Sequence, residues 1–402
     1  MNRIPRAYRS KEDELLFKKP TEDPTIQPDR VSPAVEGYFR ILAVWINEEP
    51  DPESVSVLNP EVHHAVVLRK KLNSGIEACV RRDGSFLFDF SSWNLAPQVL
   101  IPGYRVPFHE NGYQAPQETS EAEAKAESYA VIRAQVMNVH QACLTTSERT
   151  VKNRGAAMGF PVTSWNTLKA LTFEDALYYF DDTEDIRALA RNSLNNKDQV
   201  LRERPFSRHI LEKEIVEHSL ELLDQILSLE DIVLVQWIET AYMAACRCAE
   251  RRFGEAVVLA WAVCEQLLSS AWDGFQDDMK NSGRMSGKRR EKLKGRDYTA
   301  SVILEFLEAS NRIDRDLYQL LESVRKSRNS WVHGMRTPEE SNVSEAVRAV
   351  ESLFWHVKKI RLLLGGGSRG GVPQWNVWIW DQIGGRCFLD STGKHYDKVI
   401  SQ

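Results

Sequence analysis

Residues 256–264 read AVVLAWAVC, nine positions without a charged or hydrogen-bonding side chain apart from one indole. Wound as a helix, this run is apolar on every side and leaves no face for water, so other helices must surround it. It predicts a mainly α protein with this helix at the centre of a bundle. Glu265 follows at once, and a carboxylate at the end of such a run must be paired or reach solvent. The flanking sequence supplies the neighbours. Asp231 to Arg251 carries Trp237, Ile238, Tyr242 and Met243, and Gly254 separates it from the central helix. Tyr298 to Leu307 and Ile313 to Val332 predict a third and a fourth helix. Val343, Val347, Val350, Leu353, Phe354, Val357, Ile360 and Leu364 recur at the spacing of a fifth.

The fourth helix carries the chemistry. Ile313, Leu317, Leu320, Leu321, Val324 and Trp331 form its apolar stripe, and at 100° per residue Arg328 falls on that same stripe. A charged group facing inward needs a partner. Arg325, Asn329 and His333 fall four apart on the neighbouring polar face. Gly334 offers a helix stop, and Thr337-Pro338-Glu339-Glu340 predicts a new start with Thr337 as N-cap. Within RKSRNSWVHG, residues 325–334, Arg328, Asn329 and His333 spell R-N-x-x-x-H. Arginine brings a permanent charge in a rigid donor fork that suits phosphate. Histidine takes and gives a proton near neutral pH. Asparagine donates and accepts in the same site. A metal-free RNA-cleaving site needs these groups. The same residues also allow a structural role, with Arg328 as a buried ion-pair partner and His333 beside the helix C-terminal dipole.

The string RNSWVHG, at the end of the fourth of five helices, resembles the HEPN superfamily, helical domains with an R-x4-6-H motif found in many prokaryotic ribonucleases. The resemblance covers about residues 231–365. It implies a five-helix bundle, Arg328 and His333 as catalytic residues with Asn329 beside them, and Arg325 in support. It also implies an early-helix carboxylate, here Glu265, approaching Arg328, and a homodimer through the bundle with a shared cleft.

Charge is unevenly spread. Residues 280–296, KNSGRMSGKRREKLKGR, hold eight basic groups and one acid, and Gly283, Gly287 and Gly295 predict a loop. With +7 there and −5 overall, the remainder is near −12. An acidic body with one basic loop excludes a general nucleic-acid coat. It leaves either a local phosphate-contacting site built on Lys288, Arg289, Arg290, Lys292 and Lys294, or a solvated surface loop. Six cysteines are scattered without a C-x-x-C pair, which predicts reduced thiols in a cytoplasmic protein. No cluster has the spacing of a metal site, and neither a metal nor another cofactor is expected. No apolar run reaches the length of a membrane span, and MNRIPRAYRSKEDELL lacks the apolar core of a secretory signal.

The first half carries mixed signals and no catalytic constellation. Residues 1–30, with Pro20, Pro24 and Pro28, predict a loosely ordered arm. Residues 31–230 predict an α+β or helical sensor region. Arg82-Asp83-Gly84-Ser85 before the alternating Phe86 to Phe90 is its clearest hairpin. Helices are expected from Thr119 to about Thr146, over Phe173–Tyr179 and Glu184–Asn192, and from Ile210 to Leu229. His109, His140, His209 and His218 are isolated in sequence and read as surface or capped histidines. Residues 366–402 begin with a glycine-rich linker. Trp375–Trp380 and Arg386–Leu389 then predict a small β-hairpin that docks on the protein or stacks bases.

Two functions follow as expectations, and a third, nucleotide binding or transfer, has no glycine-rich phosphate loop of the P-loop type to support it. The first is a metal-independent RNA endonuclease of HEPN type, a toxin or antiviral defence effector gated by its N-terminal region. The second is a non-catalytic HEPN-like dimerisation or binding module whose N-terminal region recognises a ligand or protein.

Overall fold

The computed structural model describes residues 35–39, 44–47, 65–93 except 83, 121–152, 161–163, 167–170, 173, 209–293, 299–365, 379–380 and 386–387. The predicted arm at 1–30 and the helices predicted over 173–179 and 184–192 lie essentially outside these residues.

The described part is mainly helical, with a small sheet. Val35–Phe39 forms strand β1 and Val44–Ile46 forms strand β2. β3 (Val66–Lys71), β4 (Glu77–Arg81) and β5 (Ser85–Asp89) follow as a meander. The turn predicted from Asp83-Gly84 separates β4 from β5, and Gly84 sits at φ +81°, a conformation open to glycine because it has no Cβ. With β6 (Leu168–Ala170) these strands make an antiparallel sheet ordered β3-β4-β5-β1-β6. β2 pairs in parallel with β7 (His209–Leu211). Further along, β8 (Ile379–Trp380) pairs antiparallel with β9 (Arg386–Cys387).

The helices are α1 (Glu121–Lys152), α2 (Lys213–Leu227), α3 (Ile232–Ala249), α4 (Phe253–Asn281), α5 (Gly287–Leu293), α6 (Ala300–Ala309), α7 (Arg315–Gly334) and α8 (Glu340–Leu353). The predicted Ile210–Leu229 helix is shorter, because His209 to Leu211 is taken by β7. α4 is the hub. It packs on α3, α6, α7 and α8, but the apolar run is not covered all round as expected: Ala262 is exposed and Val258 and Leu259 are half-buried. It does not end near Glu265 as expected but runs on to Asn281, since Leu267, Leu268 and Trp272 continue its buried side. The basic stretch is not wholly a loop: Gly287–Leu293 forms α5. The fifth predicted helix stops early. Phe354–Lys358 widens into a π-helical turn, Lys359 takes a left-handed φ of 57°, and Ile360 and Leu364 are buried from non-helical chain.

α1 and α2 pack on each other and on α3, and the buried apolar cluster is continuous from Tyr38 to Leu364. His140 of α1 joins the sheet to the helices and is fully buried, not at the surface. The Ser219 hydroxyl donates to the Val216 carbonyl at 2.7 Å, so its oxygen accepts from His140 Nε2 at 3.2 Å. His140 Nδ1 then accepts from the Tyr38 hydroxyl at 2.8 Å. Phe86 and Phe88 press on its ring at 5.0 and 5.1 Å. Among the described residues no helix is long and apolar enough to cross a membrane.

Candidate active site

The R-N-x-x-x-H motif occupies the last two turns of α7. Asp314 caps the start of that helix by accepting from the Leu317 backbone N–H at 2.7 Å. Leu317, Leu321 and Val324 bury its apolar side. Arg312, just before α7, pairs with Asp278 near the end of α4 at 2.8 Å, while Trp331 lies over Gly254 at the start of α4. The two helices are therefore antiparallel. A Cβ on Gly254 would stand 2.6 Å from Trp331 Cζ2, well inside van der Waals contact. Glycine at 254 is what lets the indole dock and seats the motif turn against the bundle.

Chain reversal after the motif differs from expectation. Gly334 is the last helical residue, and Met335 adopts the left-handed cap at φ 51°. Helix α8 starts two residues later than predicted. Glu339, not Thr337, is its N-cap, in a reciprocal capping box with Asn342.

The polar side of α7 holds two arginines in different states. Arg325 is gripped by Glu322 through Nε–Oε1 at 2.7 Å and Nη2–Oε2 at 3.0 Å. That guanidinium holds the Glu322 carboxyl below its ordinary range. Arg328 is half-buried on the apolar stripe, yet no described carboxylate reaches it. Its Nη1 donates to Asn329 Oδ1 at 3.0 Å, a neutral acceptor. His333 is exposed on the final turn, and neither Arg328 nor Asn329 bonds to it. Val332 and Met335, 39% and 75% exposed, flank it.

The expected pair between Glu265 and Arg328 is not formed; Glu265 is half-buried without an ion pair among the described residues. The reason is register. At 1.5 Å per residue Glu265 lies about 16 Å along α4 from Gly254, whereas Arg328 is only one turn from the Trp331 that touches Gly254. Glu322 is the carboxylate that sequence reading passed over, although its spacing three before Arg325 is a helical ion-pair signal. Also passed over is a charged cluster at the same end of the bundle, where Arg247 meets Glu250 and Arg252 meets Glu255, each at 2.5 Å.

The basic segment stands elsewhere. Lys288 and Arg289 are exposed on α5, and Arg290 pairs with Asp277 at 2.6 Å. Asp277 is about 35 Å from Gly254 along the axis of α4. Within one chain the structure thus separates these cations from the motif. The Lys292 side chain and Lys294 lie outside the described residues. Burial pushes the Cys246 thiol up to about 12 and the Cys248 thiol up to about 11, so neither is a nucleophile at neutral pH. Among the described residues no group of three or more His, Cys, Asp or Glu side chains is placed to hold a metal ion.

Comparison with protein-family models, with curated proteins and with solved structures returns no match for this chain.

Proposed function

We propose that the chain is a metal-independent endoribonuclease of HEPN type, acting in the cytoplasm as a toxin or antiviral defence effector, with residues 31–230 as its sensor. In this reading α3, α4, α6, α7 and α8 are the five helices of a bundle over 231–365, and residues 366–402 form a hairpin tail. The observation that carries it is the state of Arg328: a half-buried guanidinium bonded only to a neutral amide among the described residues, on the turn before an exposed imidazole. A charge left without a carboxylate is suited to hold a phosphate and to stabilise a phosphorane.

Two copies divide the proton transfers. His333 of one subunit takes the proton of the RNA 2′-hydroxyl. The 2′-oxygen bonds to phosphorus, and the bond from phosphorus to the 5′-oxygen breaks. The partner subunit's His333 protonates that leaving oxygen, giving a 2′,3′-cyclic phosphate and a 5′-hydroxyl. General acid–base catalysis of this kind contributes about 10²–10⁴-fold per group. Arg328 holds the phosphate, Asn329 orients it, and Glu322 fixes Arg325 beside them.

The test is cleavage of RNA by the purified chain in excess EDTA, with end-group analysis, alongside growth of a bacterium induced for wild type or His333→Ala. Cyclic-phosphate ends and growth arrest by wild type alone are expected. A strict requirement for Mg²⁺, or 3′-hydroxyl ends, excludes the mechanism. The second reading, a non-catalytic dimerisation module, is favoured by the exposed Val332 and Met335 beside the motif. It predicts a dimer that leaves RNA intact.

A further inference from the structure

A cavity of about 470 Å³ opens where α1, α2 and the chain after α8 meet. That volume belongs to the range of small-molecule pockets, not to a groove that tracks a polymer. Its described lining includes Lys358, Lys359, Arg361 and His218, and no carboxylate. Trp355 and Leu229, 57% and 54% exposed, supply an aromatic face and an apolar edge.

The cations are not equally available. Lys358 stands 3.6 Å from Asp231 and over the Trp237 ring, so it is already engaged. Lys359 gives one N–H to the His356 carbonyl at 3.1 Å and keeps two. Arg361 is exposed and bonds to no described residue. His218 is oriented from behind. The Ser147 hydroxyl donates to the Cys143 carbonyl at 2.7 Å, so its oxygen accepts the Nδ1 proton of His218 at 2.8 Å. The Nε2 of His218 is left without a partner among the described residues.

The backbone here is irregular. A regular α8 would carry residues 359–361 onward around the helix. Instead the π-helical turn at Phe354–Lys358 and the left-handed Lys359 turn the chain, burying Ile360 and putting Arg361 on the cavity wall. Such irregularities gather at functional sites.

We propose that this cavity binds a phosphorylated mononucleoside, its base on Trp355 and its phosphate on Lys359 and Arg361, with His218 Nε2 as a further polar contact. Inorganic phosphate alone gives no use to the exposed indole, and an apolar ligand gives none to the uncommitted cations. The inference goes beyond the ribonuclease reading and does not depend on it.

The test is calorimetric titration of the full chain with AMP, GMP, CMP and UMP, their triphosphates, inorganic phosphate and a single-stranded RNA oligomer. At least one nucleotide is expected to saturate, more tightly than phosphate. Trp355→Ala should weaken it about tenfold, the order of one base–aromatic stack. Arg361→Gln should weaken it comparably and lower its salt dependence. Both side chains are exposed, so the variants should melt as wild type does. The proposal is overturned if no nucleotide binds, if phosphate binds as tightly, if both variants bind like wild type, or if the RNA oligomer outbinds every mononucleotide and loses that affinity in Trp355→Ala and Arg361→Gln.

Discussion

The two ends of α4 differ in one arginine: Arg247 and Arg252 at the N-terminal end are paired with carboxylates, as those at the C-terminal end are, but Arg328 is not. At its C-terminal end Arg290 and Arg312 are each tied to a carboxylate, Asp277 and Asp278. At its N-terminal end, under Trp331, Arg328 meets only the amide of Asn329 among the described residues. The first end is the richer in positive charge by residue count. The second holds a charge that no described carboxylate cancels, in a half-buried place where water screens it less. Counting Lys and Arg along a chain measures neither. A phosphate is drawn by what remains after pairing, and pairing is a property of the folded chain.

The comparison breaks most directly at the motif. Arg328→Ala and His333→Ala should each lower RNA cleavage by about 10²-fold or more, as the loss of a transition-state charge partner or of an acid–base group does. His333→Ala should not change the melting temperature, because the side chain is exposed. Mixing this variant with wild type should lower activity beyond simple dilution. A fully active monomer by sedimentation would rule out the shared cleft.

Next in size is the contact that seats the motif. Gly254→Ala forces a methyl into the Trp331 ring and should destabilise by about 1–3 kcal/mol, as overpacking does. Gly274→Ala, on the same helix with nothing within 4 Å, should stabilise by up to about 1 kcal/mol through helix propensity. Thermal melts read both. Equal effects would mean that Trp331 yields and the docking is loose.

A smaller change should come from the other end of α4. Neutralising Lys288, Arg289, Arg290, Lys292 and Lys294 should reduce the salt dependence of binding to long RNA. The slope should fall by about 0.7 for each single-strand phosphate that these cations neutralise. Cleavage of a dinucleotide should stay unchanged, since the segment is anchored far from the motif. A dinucleotide rate that falls with the long-RNA affinity would place both ends in one site. An unchanged slope would leave the segment as a solvated surface.

The smallest effect concerns Glu322. Its carboxyl is held low by Arg325, so the pair's stability is present above about 4.5 and is lost as pH falls through the lower folded value. Glu322→Gln should flatten the acid limb of the stability curve by about 0.2–1 kcal/mol, the range of surface ion pairs. An acid limb identical to wild type would show that Arg325 is held by something else.

Helices α3, α6, α7 and α8 were legible because each buries a stripe at a 3.6-residue period, and α4 because of its apolar run, whereas α5, mostly charged and read as loop, was not. The β4–β5 turn was legible for a similar reason, since Gly84 supplies a positive φ locally. Their ends were less so. The left-handed positions fell on Met335 and Lys359, where no glycine marks them, because capping hydrogen bonds and packing outweigh a penalty of about 1–3 kcal/mol. His140 was illegible as a core residue: its partners Tyr38 and Ser219 lie 102 and 79 positions away.

The sequence by itself determined that the described part of the chain is mainly helical, that 256–264 is central, and that Arg325, Arg328, Asn329 and His333 share the end of one helix. Spacing within a helix follows from its fixed rise and turn. Only the tertiary structure decided that Glu265 lies too far along α4 to reach Arg328 and that the basic segment stands at the opposite end. It also brought residues of α1, α2 and the turn after α8 around one cavity. Those relations depend on how helices are set against one another, and that register is fixed by contacts such as Trp331 on Gly254, between residues whose separation along the chain carries no periodic mark.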